Sequence, residues 1–428
     1  MDPLQSIAGY PRSSAPALYK VRQKFPSRHI EDVRRHVRQL FEHAAGRPCI
    51  QPGQRIAITA GSRGMGQFAS ILAGVADYVR ACGAEPVVIP AMGSHGRSTS
   101  EGQTRVLELL GVTPKSIGAP IEATMQTVHV GTAACGAEAH ADAIAATTDG
   151  IIVVARVGVH PESTTGLASG LLKMITVGLG KQDGARQAHR HGLWAAVRQV
   201  PEIVMGKLRI CCGVAVIENA YRQPALIELI PPSYDAFLDA DQRLLKVAKE
   251  HWATLPFKQL DVLVVDRVGK NISGAGIDPN IVGAWRVSAG KKKEPDYHRI
   301  VALSLTPESL GNAMGAGIAD IVTERFARAY DPHATYINML TASEPGNTLR
   351  EPALPIVMPT DRDAIEVAIG AAIPRGELRL CRIRSTSELV EFEISAALVK
   401  EVKSIPTLTI MDEGSPLPFD PQGNLTGL

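Results

Sequence analysis

Two rhythms of apolar and polar positions alternate along the chain. Short continuous apolar runs have the length of buried strands: RIAIT (55–59), PVVIP (86–90), QTVHV (126–130), GIIVVARV (150–157) and KLRICCGVAVI (207–217). Between them, apolar residues recur every three or four positions. Ile30, Val33, Val37, Leu40 and Phe41 form one such stripe, and Phe68, Ile71, Leu72, Val75, Tyr78 and Val79 form another that stops at Gly83. Helices are also expected over 100–110, 138–147 and 181–199, with a polar-faced one within 231–257. The rhythm then restarts with strands LDVLVVD (260–266), RIVALSL (299–305) and ELRLCRI (377–383), and helices around 308–328 and 387–402.

Strands that alternate with amphipathic helices imply mostly parallel sheets covered on both faces. The fold class is therefore α/β, as two α/β domains with the active site expected in the cleft between them. Residues 1–28, rich in Pro, Ser and Ala, read as an irregular lead-in. An N-terminal α/β cofactor-binding domain is expected over 29–256, and a C-terminal α/β domain completing the substrate site over 257–428. No internal repeat or low-complexity tract interrupts this pattern.

Composition removes several classes of function. A formal net charge of +2 and an aromatic content of 4% argue against nucleic acid or an anionic membrane as partner. None of the six cysteines forms a CxxC pair, which disfavours a zinc ribbon or iron–sulfur cluster and suits a reducing compartment. The first twenty residues lack a signal-peptide pattern, and no apolar run reaches the ~18 residues of a membrane span. The expected location is cytoplasmic, with a small molecule as partner.

Open parallel sheets bind ligands beyond the carboxyl ends of their strands. The residues at those ends are Ser62 and Arg63; Ser94, His95 and Arg97; His160; and Arg267, Lys270 and Asn271. Cations and imidazoles dominate, which suits a phosphate or carboxylate. Nucleotide motifs fail: Lys173, Lys181 and Lys270 all lack the Walker pattern, and GSRGMG has its glycines in the wrong order for a dinucleotide fold. His29, His36 and His43, seven apart, read as a solvated stripe. His189 and His191, two apart on a helix, face different ways, so they cannot share one metal there. His95, in a Gly-Ser-His-Gly turn, and His160, before Pro161, each suit either a structural or a catalytic role. Lys173 lies among Leu171, Leu172, Met174 and Ile175, so it must snorkel, pair with an anion or lose its charge. A desolvated lysine is also a common attachment point for an electrophilic cofactor.

Three stretches together resemble the lactate racemase family, whose enzymes use a nickel-pincer nucleotide: GSHG (93–96), VGVHPESTTGLASGLLKMITVGLGKQDGARQAHRHG (157–192) and DRVGKNISGAGIDPNIVG (266–283). The resemblance runs from about residue 50 into the second domain, as a divergent branch. It implies that Lys173 can tether the cofactor, a pyridinium-3,5-bisthiocarboxylic acid mononucleotide carrying nickel, and that His189 is the protein ligand to the metal. His95 and His160 match the catalytic histidine pair. Arg63, Ser62 and Gly170 fall on the cofactor side. Lys270 falls on the catalytic and substrate side, with Arg267 and Arg97 as further substrate contacts; His191 receives no role.

The implied activity is that of an isomerase, a racemase or epimerase of a 2-hydroxy acid. Hydride passes to the cofactor and back through a 2-keto acid while the two imidazoles exchange the hydroxyl proton. The sequence departs from the family pattern at Ala60, where an Asp is usual, and at Gly64, where a Pro is usual. The segment between His160 and Lys173 is longer than in the lactate enzyme. Arg267 replaces a neutral amide, and an extra cation there suits a second carboxylate on the substrate. The competing readings are a redox or elimination enzyme on the same fold, and a carrier of cofactor or nickel without turnover.

Overall fold

The computed structural model describes residues 12–43, 48–160, 166–287, 292–343, 349–374 and 376–426. The chain forms two compact units. The larger comprises Ser27–Trp252 with Tyr336–Asn347, and the second comprises Met1–Pro26, Ala253–Thr335 and Thr348–Leu428.

A five-stranded sheet organises the larger unit, in the order Glu85–Pro90, Arg55–Ala60, Gly150–Arg156, Ile210–Glu218, Pro224–Ile230. The first four strands are parallel and the last is antiparallel. Ile56, Ile58, Val88, Ile152 and Val153 are all fully buried, as expected of strands covered on both faces. From Arg55–Ala60 the chain passes to one neighbour, Glu85–Pro90, and later returns on the other side as Gly150–Arg156. That reversal makes the carboxyl ends of these three strands a topological switch point, the place where such sheets bind ligands.

The second unit holds an eight-stranded mixed sheet. Ile356–Met358, Ile321–Thr323, Asp296–Leu305, Gln259–Val268 and Leu380–Ser385 run parallel. Glu388–Ile394, Tyr19–Gln23 and Leu408–Ile410 add antiparallel strands. No helix of the described residues is long and apolar enough to cross a membrane.

Several elements differ from the sequence expectation. The lead-in contains a strand, Tyr19–Gln23, with Val21 and Gln23 buried and Lys20 and Arg22 exposed. Residues 138–147, alanine-rich and read as a helix, instead contain the strand Glu138–Asp142, which pairs with Thr127–Thr132. Ala139 and Ala141 are buried while Glu138 is exposed, a period of two that alanine's helix propensity masked. The helix expected at 308–328 is replaced by short 3-10 turns, the strand Ile321–Thr323 and the helix Glu324–Ala329. Leu310, Gly311 and Gly315 there hold left-handed backbone, which no helix accepts. The helix expected at 387–402 is mostly the strand Glu388–Ile394, followed by a short helix, Val399–Lys403. The helix over 181–199 is two helices, Lys181–Arg190 and Leu193–Lys207, parted at Gly192 (φ 87°). The strand Pro224–Ile230 was not anticipated.

Candidate functional site

The switch point gathers the candidate residues of the larger unit. Strand Arg55–Ala60 leads directly into Ser62 and Arg63. Ser62 is nearly buried, and its Oγ lies 2.5 Å from Nδ1 of His95, which follows the neighbouring strand Glu85–Pro90. Ser62, assigned to the cofactor by sequence, thus has the His95 ring as its partner. Arg63 donates from Nη1 to Ser169 Oγ at 3.2 Å. Ser169 forms an antiparallel bridge with Gly158, so it ties the exit of Gly150–Arg156 to the segment that carries Lys173.

That segment begins at Gly170. The N–H groups of Leu171 and Leu172 donate to Asp241 Oδ1 and Oδ2 at 2.8 and 2.9 Å. A Cβ at Gly170 would overlap this carboxylate, so the approach of Asp241 by itself requires glycine here. Burial pushes the Asp241 carboxyl up to about 6, against the lowering effect of the two N–H donors. After Leu171–Lys173 the helix widens into a π-helical stretch, Met174–Leu179, a distortion often found at functional sites.

Lys173 and His160 share one aromatic neighbour. The Lys173 ammonium lies 5.6 Å from the centroid of the Trp194 ring, and the His160 ring meets that ring edge-on at 5.1 Å. Loss of solvent around the His160 ring, and then the positive charges of Lys173, Arg63 and His189, hold its pKa well below the ordinary imidazole value. At neutral pH His160 is therefore uncharged, with one ring nitrogen able to accept a proton. The same interactions group His160, Lys173, Arg63 and His189 in one electrostatic neighbourhood. His191 packs its ring over Gly136 in the turn of the hairpin.

Arg97 is exposed and stands on a left-handed turn, with φ values of 65°, 58° and 52° at Gly96, Arg97 and Ser98. Two successive non-glycine residues in that region store backbone strain, which concentrates at functional loops. Asn338 Nδ2 donates to Ser94 Oγ at 3.0 Å in the same turn.

Arg267 and Lys270 belong to the second unit, where DRVGKN covers the carboxyl end of the central strand Gln259–Val268 and the turn after it. Asp266 is buried against Arg382 (2.9 and 3.1 Å). Arg267 pairs with Glu388 at 3.2 Å, so part of its charge is met by its own unit. Lys270 is buried; its N–H donates to Ser309 Oγ at 2.9 Å and its ammonium to the Gly274 carbonyl.

The chain is similar in fold to a solved structure, that of the lactate racemase apoprotein from Thermoanaerobacterium thermosaccharolyticum. The similarity spans 87% of this chain and 99% of that one, with a TM-score of 0.49 and 12% sequence identity. No family model matches the chain, and no curated protein matches it.

Four residues of the neighbourhood received no role from the sequence. Asp241 lies inside the apolar stripe Phe237, Ala240, Leu244, Leu245, Ala248, and a carboxylate in such a stripe is a readable signal. Lys181 follows an apolar run much as Lys173 does. Trp194, one of three tryptophans, lies five residues past His189. Gln103 carried no signal, since a glutamine in an amphipathic helix is ordinary.

Proposed function

We propose that this chain is a racemase or epimerase of 2-hydroxy acids that works with a nickel-pincer nucleotide. The observation that carries the reading is the grouping of His160 with Lys173, Arg63 and His189 at a sheet switch point, where His160 and Lys173 share the Trp194 ring. The donor set fits the cofactor. Among the described residues no group of three or more His, Cys, Asp or Glu side chains is placed to hold a metal. A metal here must bring most of its ligands with it, as a pincer nucleotide does, and take one from the protein. His189 would be that donor, Lys173 the tether, and Arg63 a counter-charge to phosphate. When bound, the cofactor supplies a reversible hydride acceptor.

The chain's own residues handle protons and orientation. His160, neutral at pH 7, takes the substrate hydroxyl proton on one face. His95, its Nδ1 occupied by Ser62, serves the other face through its second ring nitrogen. The carbon would invert if the 2-keto acid were reduced on its other face, and the opposite imidazole would then return the proton to the oxygen. Lys270 and Arg267 are assigned to the substrate carboxylate by resemblance.

The test is nickel content together with the mass of the Lys173 peptide, on protein from a cell that makes the pincer nucleotide, followed by racemisation assays on 2-hydroxy acids. About one nickel per chain and interconversion of enantiomers are expected. Absence of both, from a cell proven to supply the cofactor, removes the reading. A His95→Ala variant that keeps the cofactor and loses turnover separates an enzyme from a carrier. Nickel salt alone, added to the apoprotein, is expected to give no stoichiometric binding in equilibrium dialysis, because the described residues offer no multidentate site.

A further inference from the structure

We propose that Lys181 and Gln103 are positioning residues for His95, an inference that rests on the catalytic role proposed for that imidazole. Lys181 is completely buried, as are Gln103 and Asp142. Its ammonium meets three acceptors: the Pro90 carbonyl, Gln103 Oε1 at 3.0 Å and Asp142 Oδ2 at 3.0 Å. The first two are hydrogen bonds and the third is an ion pair, so the buried charge is met from three sides. Asp142 is held in turn by the N–H groups of Ile144 and Ala145, at 2.8 and 2.9 Å on Oδ1.

The ion pair decides which way the Gln103 amide faces. Lysine has no acceptor, so only Oε1 can meet it, and Nε2 must point the other way. Nε2 donates to the carbonyls of Gly93 and His95, at 2.8 and 3.3 Å. One amide therefore clamps both ends of the Gly-Ser-His turn. A Cβ at Gly96 would strike the backbone of Gln103, which shows how closely the turn lies on the helix Ser100–Leu109. With Ser62 on the ring and Gln103 on the backbone, His95 is held from two sides.

The backbone at Lys181 supports the assignment independently. Its φ is 53°, a left-handed conformation that is costly for a residue with a side chain. It directly follows the π-helical stretch and Gly180, whose Cβ would collide with the Thr176 carbonyl. Strain of this kind persists only where surrounding contacts over-determine it. Here it turns the lysine inward to reach the strand end at Pro90.

Hydrogen exchange read by mass spectrometry tests the proposal on the full-length apoprotein, without cofactor or substrate. Gln103→Glu keeps an acceptor for Lys181 but has no donor for the turn, and Gln103→Met loses both. Both variants are expected to lose protection over 91–99 by roughly tenfold, the scale of one or two hydrogen bonds, while Phe68–Ala81 and Leu193–Lys207 keep theirs. The double variant Lys181→Met with Asp142→Asn removes the pair without stranding a charge and is expected to loosen the same segment. The imidazole 15N signals of His95, assigned by their loss in His95→Gln, should move in Gln103→Glu while those of His29 and His43 stay. Unchanged exchange over 91–99 in Gln103→Glu, or a loss spread evenly over the unit, overturns the proposal. In the racemisation assay, kcat should fall with KM unchanged. Loosening in a protein that never racemises would leave the clamp standing and remove only the reaction.

Discussion

Two histidines show how the same residue type is given different properties by its surroundings. His95 has a hydroxyl on Nδ1, and His160 has cations and an aromatic edge around it. Removing the hydroxyl in Ser62→Ala is expected to destabilise the fold by only about 1 kcal/mol. It should lower turnover about tenfold, because the His95 tautomer is no longer held. Parallel denaturation curves and racemisation rates check this. His160 makes a pH prediction. Its folded pKa lies well below the unfolded value of about 6.5, so the unfolded chain takes up a proton first as pH falls. Stability is therefore lost on acidification from about pH 6.5 down to the folded value. His160→Gln should show a smaller loss between pH 7.5 and 5.5 in urea titrations, and an equal loss would refute the assignment.

At the scale of elements, the segment that carries Lys173 depends on a carboxylate seventy residues away. Asp241 caps Leu171 and Leu172, and Gly170 gives it room. Asp241→Ala leaves two buried N–H groups unpaired, each costing about 1–3 kcal/mol. Gly170→Ala drives a methyl against the carboxylate, with an expected cost of about 1–3 kcal/mol. Thermal unfolding of both variants measures this. Asp241 slopes with pH in the opposite sense to His160. Its folded value of about 6 lies above an unfolded value of about 3.9, so its contribution is complete below pH ~3.9 and lost as pH rises through about 6. Asp241→Asn should flatten stability over that window, though one of the two N–H groups then loses its oxygen.

For the whole molecule, the larger unit's sheet gathers imidazoles, a lysine and an arginine at its switch point, and the DRVGKN turn belongs to the other unit. A cofactor bound by the native state alone raises stability by about 2.7 kcal/mol at a hundredfold excess over Kd. Protein isolated with the pincer nucleotide should melt higher than the apoprotein, and Lys173→Ala should lose part of that rise. An identical melting point for loaded and apo forms would argue that the group binds elsewhere or not at all.

Much of this was legible in the residues themselves. Buried parallel strands announce themselves as unbroken apolar runs, so RIAIT, PVVIP and GIIVVARV were found at nearly their true bounds. The residues past those strands follow from chain order, which is why Ser62, Arg63, His95 and His160 could be named in advance. Where alanine or glutamate favoured a helix, as at 138–142 and 388–394, pairing with a neighbouring strand overrode local propensity. The contacts of Asp241 with Leu171, Lys181 with Pro90 and Gln103 with His95 join positions distant in the chain or facing inward from separate elements. Sequence lists the donors and acceptors but not their distances. Only the packed structure, which must satisfy every buried polar group, decides which of them meet.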